Sequence, residues 1–282
     1  MANIKIIPAF ENAKDYVAAV EIYNEDIHTA WQKHMIDPFW ADITHGVNRD
    51  VSFMKPAPVK DIRALREQIE LLSCLPIGDL HSEFAKIASL LPINLGEPIY
   101  TALYPACDSD KILKYRQNGV VGACPDGNII IRINPLAQDY YGWILYVFAH
   151  EYHHCVWGYN SWINGMNMEG SFYEPMIIEG QADLFAESVF PGLVPQWNRP
   201  FDGETESALW ERLKNDSAIH GAASMFGNEG KGLPWCMGYS FGRAIVSDYM
   251  QERPNISFID LIKTPPAEIL NGSRFKYRDL LC

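Results

Sequence analysis

One stretch of the chain has the composition of a core element and yet carries groups that are unfavourable to bury. Residues 143–157 read WILYVFAHEYHHCVW, which is apolar and aromatic apart from His150, Glu151, His153 and His154. Burying an imidazole or a carboxylate costs free energy unless a partner replaces the lost hydration. The fold must therefore supply partners for these four side chains, either a metal ion or the hydrogen bonds of ordinary core histidines.

Composition indicates a globular protein and argues against a nucleic-acid binder. The 282 residues are 48% hydrophobic and 12% aromatic, so the chain can bury a sizeable core in one large domain or two closely packed subdomains. The formal net charge is -12, and the 23 basic residues are spread thinly. Neutralising phosphates requires clustered lysine and arginine, so we expect no nucleic-acid partner.

The sequence shows no signal for secretion or membrane insertion, and we expect a cytoplasmic protein without a membrane partner. Its first residues, MANIKIIPAFENAKDY, lack the basic start and apolar stretch of a secretory signal. The longest apolar run, WILYVFA at 143–149, is far shorter than the ~20 residues that span a bilayer. The six cysteines form no CxxC pair, which favours reduced thiols over a disulfide framework or a cysteine-type zinc site.

Periodicity predicts a helix-rich α+β fold, with an N-terminal helical region at 1–95 and a second region at 96–282 in one compact unit. Apolar residues recur at helical spacing in three segments of the first region, 11–36, 58–73 and 79–91. A strand-like segment follows at 98–106. Another, at 118–135, contains Pro125-Asp126-Gly127 between two β-rich halves, which indicates a hairpin.

The second half of the chain is predicted to be mainly helical. The expected helices lie at about 139–157, 175–190 and 236–252, with a short helical stretch at 204–214. Gly158 is suited to end the first of them, and Pro175 is suited to begin the second. The residues between these two helices, 159–174, are expected to form a loop.

The polar groups of the first of these helices have the spacing of a zinc site. At about 100° per residue, His154 lies roughly 40° from His150, and Glu151 lies roughly 100° from it. Two imidazoles one turn apart can occupy two corners of a zinc tetrahedron, and the glutamate beside them can act on a water as general base. His153 points to the other side and is assigned to packing or hydrogen bonding. The alternative for all three histidines is an ordinary satisfied core.

A third ligand is available on the next predicted helix. Catalytic zinc takes three protein ligands and keeps one position open, and Glu179 follows His154 by 25 residues. Asp183, one turn after Glu179, could accept a hydrogen bond from a ligand histidine and fix its tautomer. The alternative is that both carboxylates belong to a solvated helix face, although the surrounding apolar residues leave only a narrow polar sector; these are Ile177, Ile178, Ala182, Leu184 and Phe185.

These motifs resemble those of the glutamate-type zincins, which are metallopeptidases with His-Glu-x-x-His on one helix and Glu-x-x-x-Asp on the next. The matching segments are HEYHH at 150–154 and EGQAD at 179–183. More narrowly, the chain resembles a bacterial family of predicted zinc-dependent proteases catalogued as a domain of unknown function. GYSFGRAIV at 238–246 matches a third motif of that family, and the likeness covers roughly residues 60–250.

The resemblance implies a zincin-like catalytic domain that contains one zinc ion per chain. His150, His154 and Glu179 would bind the metal, and Glu151 would be the catalytic carboxylate. Tyr239 matches a position from which such enzymes supply a phenol, so it is the candidate to stabilise the oxyanion, unless it only packs in an aromatic core. The spacing from His154 to Glu179 is longer than in thermolysin-like members, so the intervening segment should shape the site differently.

The expected function is hydrolysis of peptide bonds in a peptide or protein substrate by a zinc-activated water. The alternatives are hydrolysis of a non-peptide amide or ester with the same residues, and a non-catalytic zinc-binding protein. The segment NIIIRIN at 128–134 is the candidate edge strand on which an extended substrate would pair. Arg243 is a weaker candidate for a substrate contact. The sequence does not indicate an oligomeric state.

Overall fold

A computed structural model describes residues 2–94, 96–164 and 170–276, with the main chain alone at 162–164. The described residues form a helix-rich α+β structure with one small mixed sheet, so the predicted fold class is confirmed. Contacts group the chain into two compact units, Met1–Gly158 and Tyr159–Cys282. The division into regions 1–95 and 96–282 is a different partition and stays a prediction. None of the described helices is long and apolar enough to cross a membrane.

The first unit combines a four-stranded sheet with seven α-helices among its described residues, the last of which continues past Gly158. Its strands are β1 (Ile4–Ile7), β2 (Ile99–Pro105), β3 (Val120–Ala123) and β4 (Ile129–Ile133). Its helices are α1 (Ala13–Glu21), α2 (Ile27–Trp31), α3 (Asp37–Ile43), α4 (Ile62–Leu72), α5 (Ile77–Leu90), α6 (Lys111–Arg116) and α7 (Tyr140–Asn164).

The predicted helical stretch at 11–36 is interrupted. Asn24 has a positive φ, which an α-helix does not allow. Asp26 then caps α2 by accepting hydrogen bonds from the main-chain N–H groups of His28 and Thr29. A π-helical turn, Gln32–Ile36, follows α2 directly. Apolar spacing therefore predicts the buried face correctly, while a local capping residue divides the segment.

The sheet has the strand order β1-β2-β4-β3. β1, β2 and β4 run parallel, while β3 pairs antiparallel with β4. The predicted hairpin is confirmed, and its turn contains Asp126 and Gly127 at positive φ. The assignment of residues 128–134 as an edge strand is wrong, because β4 pairs on both sides and its isoleucines are buried, as is typical of a strand within a parallel sheet. β3 is the edge strand that precedes α7.

Helix α7 is longer than its sequence predicts. It runs through Gly158 to Asn164, whereas the expected end was residue 157. Gly158 does not adopt the positive φ of a C-terminal cap, so the helix continues through it. A glycine within a helix costs only about 1 kcal/mol relative to alanine. The expected loop at 159–174 is therefore helical over 159–164 and, at the start of the next helix, over 173–174. Its part at 165–169 lies outside the described residues.

The second unit is helical in its described part. Its helices are α8 (Tyr173–Val189), α9 (Gly203–Asn215), α10 (Ala222–Phe226), α11 (Met237–Gln251), α12 (Phe258–Lys263) and α13 (Pro266–Asn271). The helices predicted at 175–190, 204–214 and 236–252 are confirmed to within two residues at each end. Residues from α8, α9, α11 and α13 form the apolar core of this unit, with Met176, Trp210, Phe241, Ile245 and Leu270 among them.

Helices α8 and α11 approach each other at a pair of glycines. A Cβ atom added to Gly180 would overlap the main-chain carbonyl of Gly242, and one added to Gly242 would overlap the carbonyl of Met176. Only residues without a side chain let two helix backbones come this close. Gly180 directly follows Glu179, so this contact fixes the position of the backbone that carries the predicted third ligand.

Replacing Gly242 by alanine tests this packing. We expect Gly242→Ala to lower the free energy of unfolding by about 1–3 kcal/mol, because the new methyl group forces the two backbones apart. Denaturant unfolding would measure the change. Gly203→Ala is the matched control in the same unit, since nothing lies within 4 Å of a Cβ there. Equal stability changes in the two variants would contradict the close approach.

Candidate metal centre

The two histidines of the His-Glu-x-x-His motif face each other on α7. Their Nε2 atoms are 3.0 Å apart, and their rings are inclined at 78°. Two nitrogen ligands at ~2.0–2.1 Å from a tetrahedral zinc would be separated by about 3.3 Å. His150 is 8% exposed and His154 is half-buried. This arrangement fits two neighbouring corners of a zinc tetrahedron.

Glu179 on α8 completes a group of possible ligands. His150, His154 and Glu179 each offer one ligand atom, and these atoms all lie within 4.8 Å of one another. Two imidazole nitrogens and one carboxylate oxygen are donors that zinc accepts, and three protein ligands leave a fourth position for water or substrate. The donor set and its spacing therefore fit the metal that the motif predicts.

Glu151 does not belong to this group of ligands and lies against strand β3. Its side chain is 7% exposed. A Cβ atom added to Gly122 of β3 would overlap the Cγ and Oε1 atoms of Glu151 and would lie 2.7 Å from its Cδ. The glycine thus provides the space that this carboxylate occupies. The carboxylate of Glu151 is therefore apart from the ligand group, although Glu151 directly follows His150 in the chain.

His153 and Cys155 occupy other positions on α7. His153 is fully buried, and its ring centroid is 6.2 Å from that of His154, so the structure does not add it to the group of ligands. Burial is the largest cause that raises the pKa of the Cys155 thiol well above its ordinary value, followed by its contact with Cys124 and the charge of Glu151. A thiol so placed is neutral near pH 7 and does not compete as an anionic ligand.

Asp183 lies one turn after Glu179 on α8 and is 0% exposed. Its Oδ1 atom accepts a hydrogen bond of 3.2 Å from the indole Nε1–H of Trp197. This bond orients the carboxylate plane. The role of Asp183 as a partner of a ligand histidine stays a prediction, and Trp197 is a residue that sequence reasoning missed.

Arg243 forms a salt bridge within the second unit. Its guanidinium donates to both carboxylate oxygens of Glu187, from Nε at 2.8 and 3.0 Å and from the second terminal nitrogen at 2.8 Å. Such a two-pronged pair is directional and orders the arginine side chain. The structure therefore gives Arg243 a partner that the sequence did not, and it does not favour the expected substrate contact.

Tyr239 lies one turn before Arg243 and is half-buried at the N-terminal end of α11. It packs against the core of the second unit, with its ring centroid 6.2 Å from that of Phe226. This placement agrees with the packing alternative, and the assignment of Tyr239 to the oxyanion stays a prediction.

Three glycines that position the candidate site were missed by sequence reasoning. Gly122 adjoins the general-base candidate, and Gly180 and Gly242 bring α8 and α11 together. A signal was present for Gly122, since a glycine inside a strand pattern often marks a close approach of another group. Gly180 and Gly242 stand inside the two helical motifs, where a glycine that lowers helix propensity indicates a packing role.

Comparison with known proteins gives one finding. The family model described as "Predicted Zn-dependent protease (DUF2268)" matches residues 80–271. The matched range contains the candidate ligands, Glu151 and all three glycines. Neither a curated protein nor a solved structure matches the chain.

The contact between Gly122 and Glu151 can be tested without an activity assay. We expect Gly122→Ala to lower the free energy of unfolding by about 1–3 kcal/mol, because the methyl group displaces a buried side chain. In a Glu151→Ala background the same change should cost much less, giving a coupling energy of about 0.5–3 kcal/mol. Gly78→Ala in α5 is the control, since a Cβ there meets nothing within 4 Å. Additive effects of the two changes would show that the side chains do not meet.

Proposed function

The chain belongs to the DUF2268 family of predicted zinc-dependent proteases, and from this premise we propose that it is a zinc peptidase that hydrolyses peptide bonds in peptide or protein substrates. The observation that carries the proposal is the convergence of one ligand atom each from His150, His154 and Glu179. With one zinc ion per chain, these residues would be its ligands. When bound, zinc polarises the scissile carbonyl and lowers the pKa of a water molecule, which then reacts near neutral pH.

Glu151 is the proposed general base. It directly follows a ligand histidine, is almost fully buried, and is held beside β3 by the space at Gly122. Its carboxylate takes a proton from the attacking water and then delivers that proton to the nitrogen of the leaving amine. A zinc site with a purely structural role needs no such group and closes all four positions with protein ligands. The presence of Glu151 therefore favours an enzyme over a non-catalytic zinc protein.

Two further residues are assigned supporting roles in the proposal. Asp183, oriented by Trp197, accepts a hydrogen bond from the second ring nitrogen of a ligand histidine and so fixes its tautomer. Tyr239 donates its hydroxyl proton in a hydrogen bond to the oxygen that becomes negative during attack, an interaction that is stronger in the transition state than in the ground state.

The substrate strand is proposed to pair along β3. β3 ends the sheet among the described strands, so one of its edges is left for an extended peptide, and Glu151 lies against the same strand at Gly122. Main-chain hydrogen bonds to such an edge hold a peptide without demanding a particular sequence. This assignment replaces residues 128–134, which lie inside the sheet.

The substrate class is tested by comparing the cleavage of peptide, amide and ester bonds by the same zinc-loaded sample. The zinc-loaded chain would be incubated with an unstructured peptide mixture, with small non-peptide amides and with esters, and product formation followed by mass spectrometry. Cleavage of peptides supports the proposal. Turnover of only amides or esters would keep the metal chemistry and overturn the peptidase assignment.

Changing the general base should separate catalysis from metal binding. We expect Glu151→Gln to lower peptide turnover by about 10²–10⁴-fold, which is the usual contribution of a positioned acid–base group. Zinc content, measured by elemental analysis, should stay near that of the unchanged chain, because no ligand is removed. Glu67→Gln, at an exposed glutamate of α4, is the control. Loss of the metal from the Glu151 variant would show that its role is misassigned.

Removal of a proposed ligand should weaken zinc binding, which the change at Glu151 should leave intact. We expect His154→Ala and Glu179→Ala each to lower zinc affinity strongly, and Asp183→Asn to lower it by about 10–100-fold, as is usual for residues that orient a ligand. Competition with a fluorescent chelator would measure these affinities. His28→Ala, at an exposed histidine, should leave them unchanged. Unaltered zinc binding in the Glu179 variant would remove this residue from the ligand set.

A further inference from the structure

Two cysteines of the first unit lie in contact beside the candidate metal centre. The Sγ atoms of Cys124 and Cys155 are 3.4 Å apart. Cys124 directly follows β3, and Cys155 lies on α7 one turn after Glu151. Because Cys155 follows Glu151 by four residues, the two side chains lie on the same face of the helix.

The thiol contact continues the contact between Gly122 and Glu151. Gly122 and Cys124 are two residues apart on an extended chain, which spans about 6.6 Å. Glu151 and Cys155 are four residues apart on a helix, which spans about 6 Å. Because these lengths are nearly equal, the strand and the helix meet at two successive points.

We propose that Cys124 and Cys155 form a site of oxidative modification, which a small peroxide converts into an intramolecular disulfide. In the first step the Cys124 sulfur attacks one peroxide oxygen, the O–O bond breaks, and the thiol proton joins the leaving hydroxide, which gives a sulfenic acid and one molecule of water. In the second step the Cys155 sulfur attacks the sulfenic sulfur and the S–O bond breaks. The Cys155 proton passes to the departing hydroxide, so the S–S bond forms and a second water leaves. The two thiols lose two electrons, which reduce the peroxide.

Exposure decides the order of these steps. Cys124 is half-buried, whereas Cys155 is 2% exposed, so the oxidant reaches Cys124 first and Cys155 resolves the sulfenic acid. The contacts of the other two described cysteines of this unit differ. Cys74 lies 3.4 Å from the carbonyl oxygen of Glu70, and Cys107 lies 3.0 Å from the hydroxyl of Ser109. Among the described residues neither of them contacts a second thiol, so we expect no disulfide to form there on oxidation.

The disulfide would change the surroundings of Glu151. A disulfide bond is ~2.05 Å long, so the two sulfur atoms must approach by about 1.4 Å, and the strand end and the helix are drawn together. The space at Gly122 is already filled by the Glu151 side chain. We expect the carboxylate to be displaced. A misplacement of about 1 Å in a reacting group can lower turnover by up to ~10²-fold. This consequence rests on the proposed function, whereas bond formation does not.

The experiment treats the full chain, as purified with its metal, with low millimolar hydrogen peroxide and then blocks the remaining thiols. Non-reducing peptide mapping by mass spectrometry should join the peptides of Cys124 and Cys155, with the loss of two hydrogens, and dithiothreitol should separate them. Cys124→Ala and Cys155→Ala should each abolish the joined peptide. Cys74→Ala is the matched control and should leave it unchanged.

Each outcome of the mapping decides the proposal. The joined peptide in the folded chain, reversed by thiol and absent from both variants, supports it. Sulfenic or sulfinic acid on Cys124 alone, or a link to a different cysteine, overturns it. Peptide turnover is then measured on the same samples. A formed disulfide without any effect on turnover overturns the proposed displacement of Glu151. If the untreated chain already cleaves no peptide, this counts against the peptidase assignment, and a disulfide formed on oxidation leaves the modification site standing.

Discussion

The buried cluster of imidazole and carboxylate groups on α7 is the constraint on which the rest of the structure depends. His150, Glu151 and His153 lie on a helix whose neighbouring residues are almost entirely apolar. Their free energy of burial is acceptable only if each group has a defined partner, because unpaired charges are strongly unfavourable in a low-dielectric interior. For His150, the proposed zinc ion, bound also by His154 and Glu179, would meet this requirement. The apolar surroundings then strengthen every electrostatic interaction within the site.

Glycine plays the complementary part by controlling distances. Gly122 lets a sheet edge lie directly against the Glu151 side chain, and the pair Gly180 and Gly242 lets two helix backbones touch. In both places the absence of a side chain lets two elements pack at a well-defined distance, since the neighbouring atoms fill the space that a methyl group would need. Glu179 directly precedes Gly180. The residues that we assign to chemistry are therefore held by backbone contacts, which are stiffer than contacts between long side chains.

The sequence predicted the local features of this site and missed the long-range ones. The 3.6-residue period was enough to place His150 and His154 on one helix face, and turn chemistry was enough to predict the hairpin at 118–135. The place of β4 inside the sheet depends on its pairing with β2, whose residues are distant in the chain, so no local pattern reveals it. Likewise, Gly158 is a residue type that often ends a helix, but whether it adopts the positive φ of a C-terminal cap depends on the residues around it.

The parallel pairing of β1 with β2 has a consequence for how the first unit assembles. Ile4 is in register with Ile99, and five helices separate the two strands along the chain. Closing so long a loop costs conformational entropy before any ladder hydrogen bond forms, and pairings of this kind slow folding. The helices between them can form locally beforehand. We therefore expect the pairing of β1 with β2 to be a late step in the folding of the first unit.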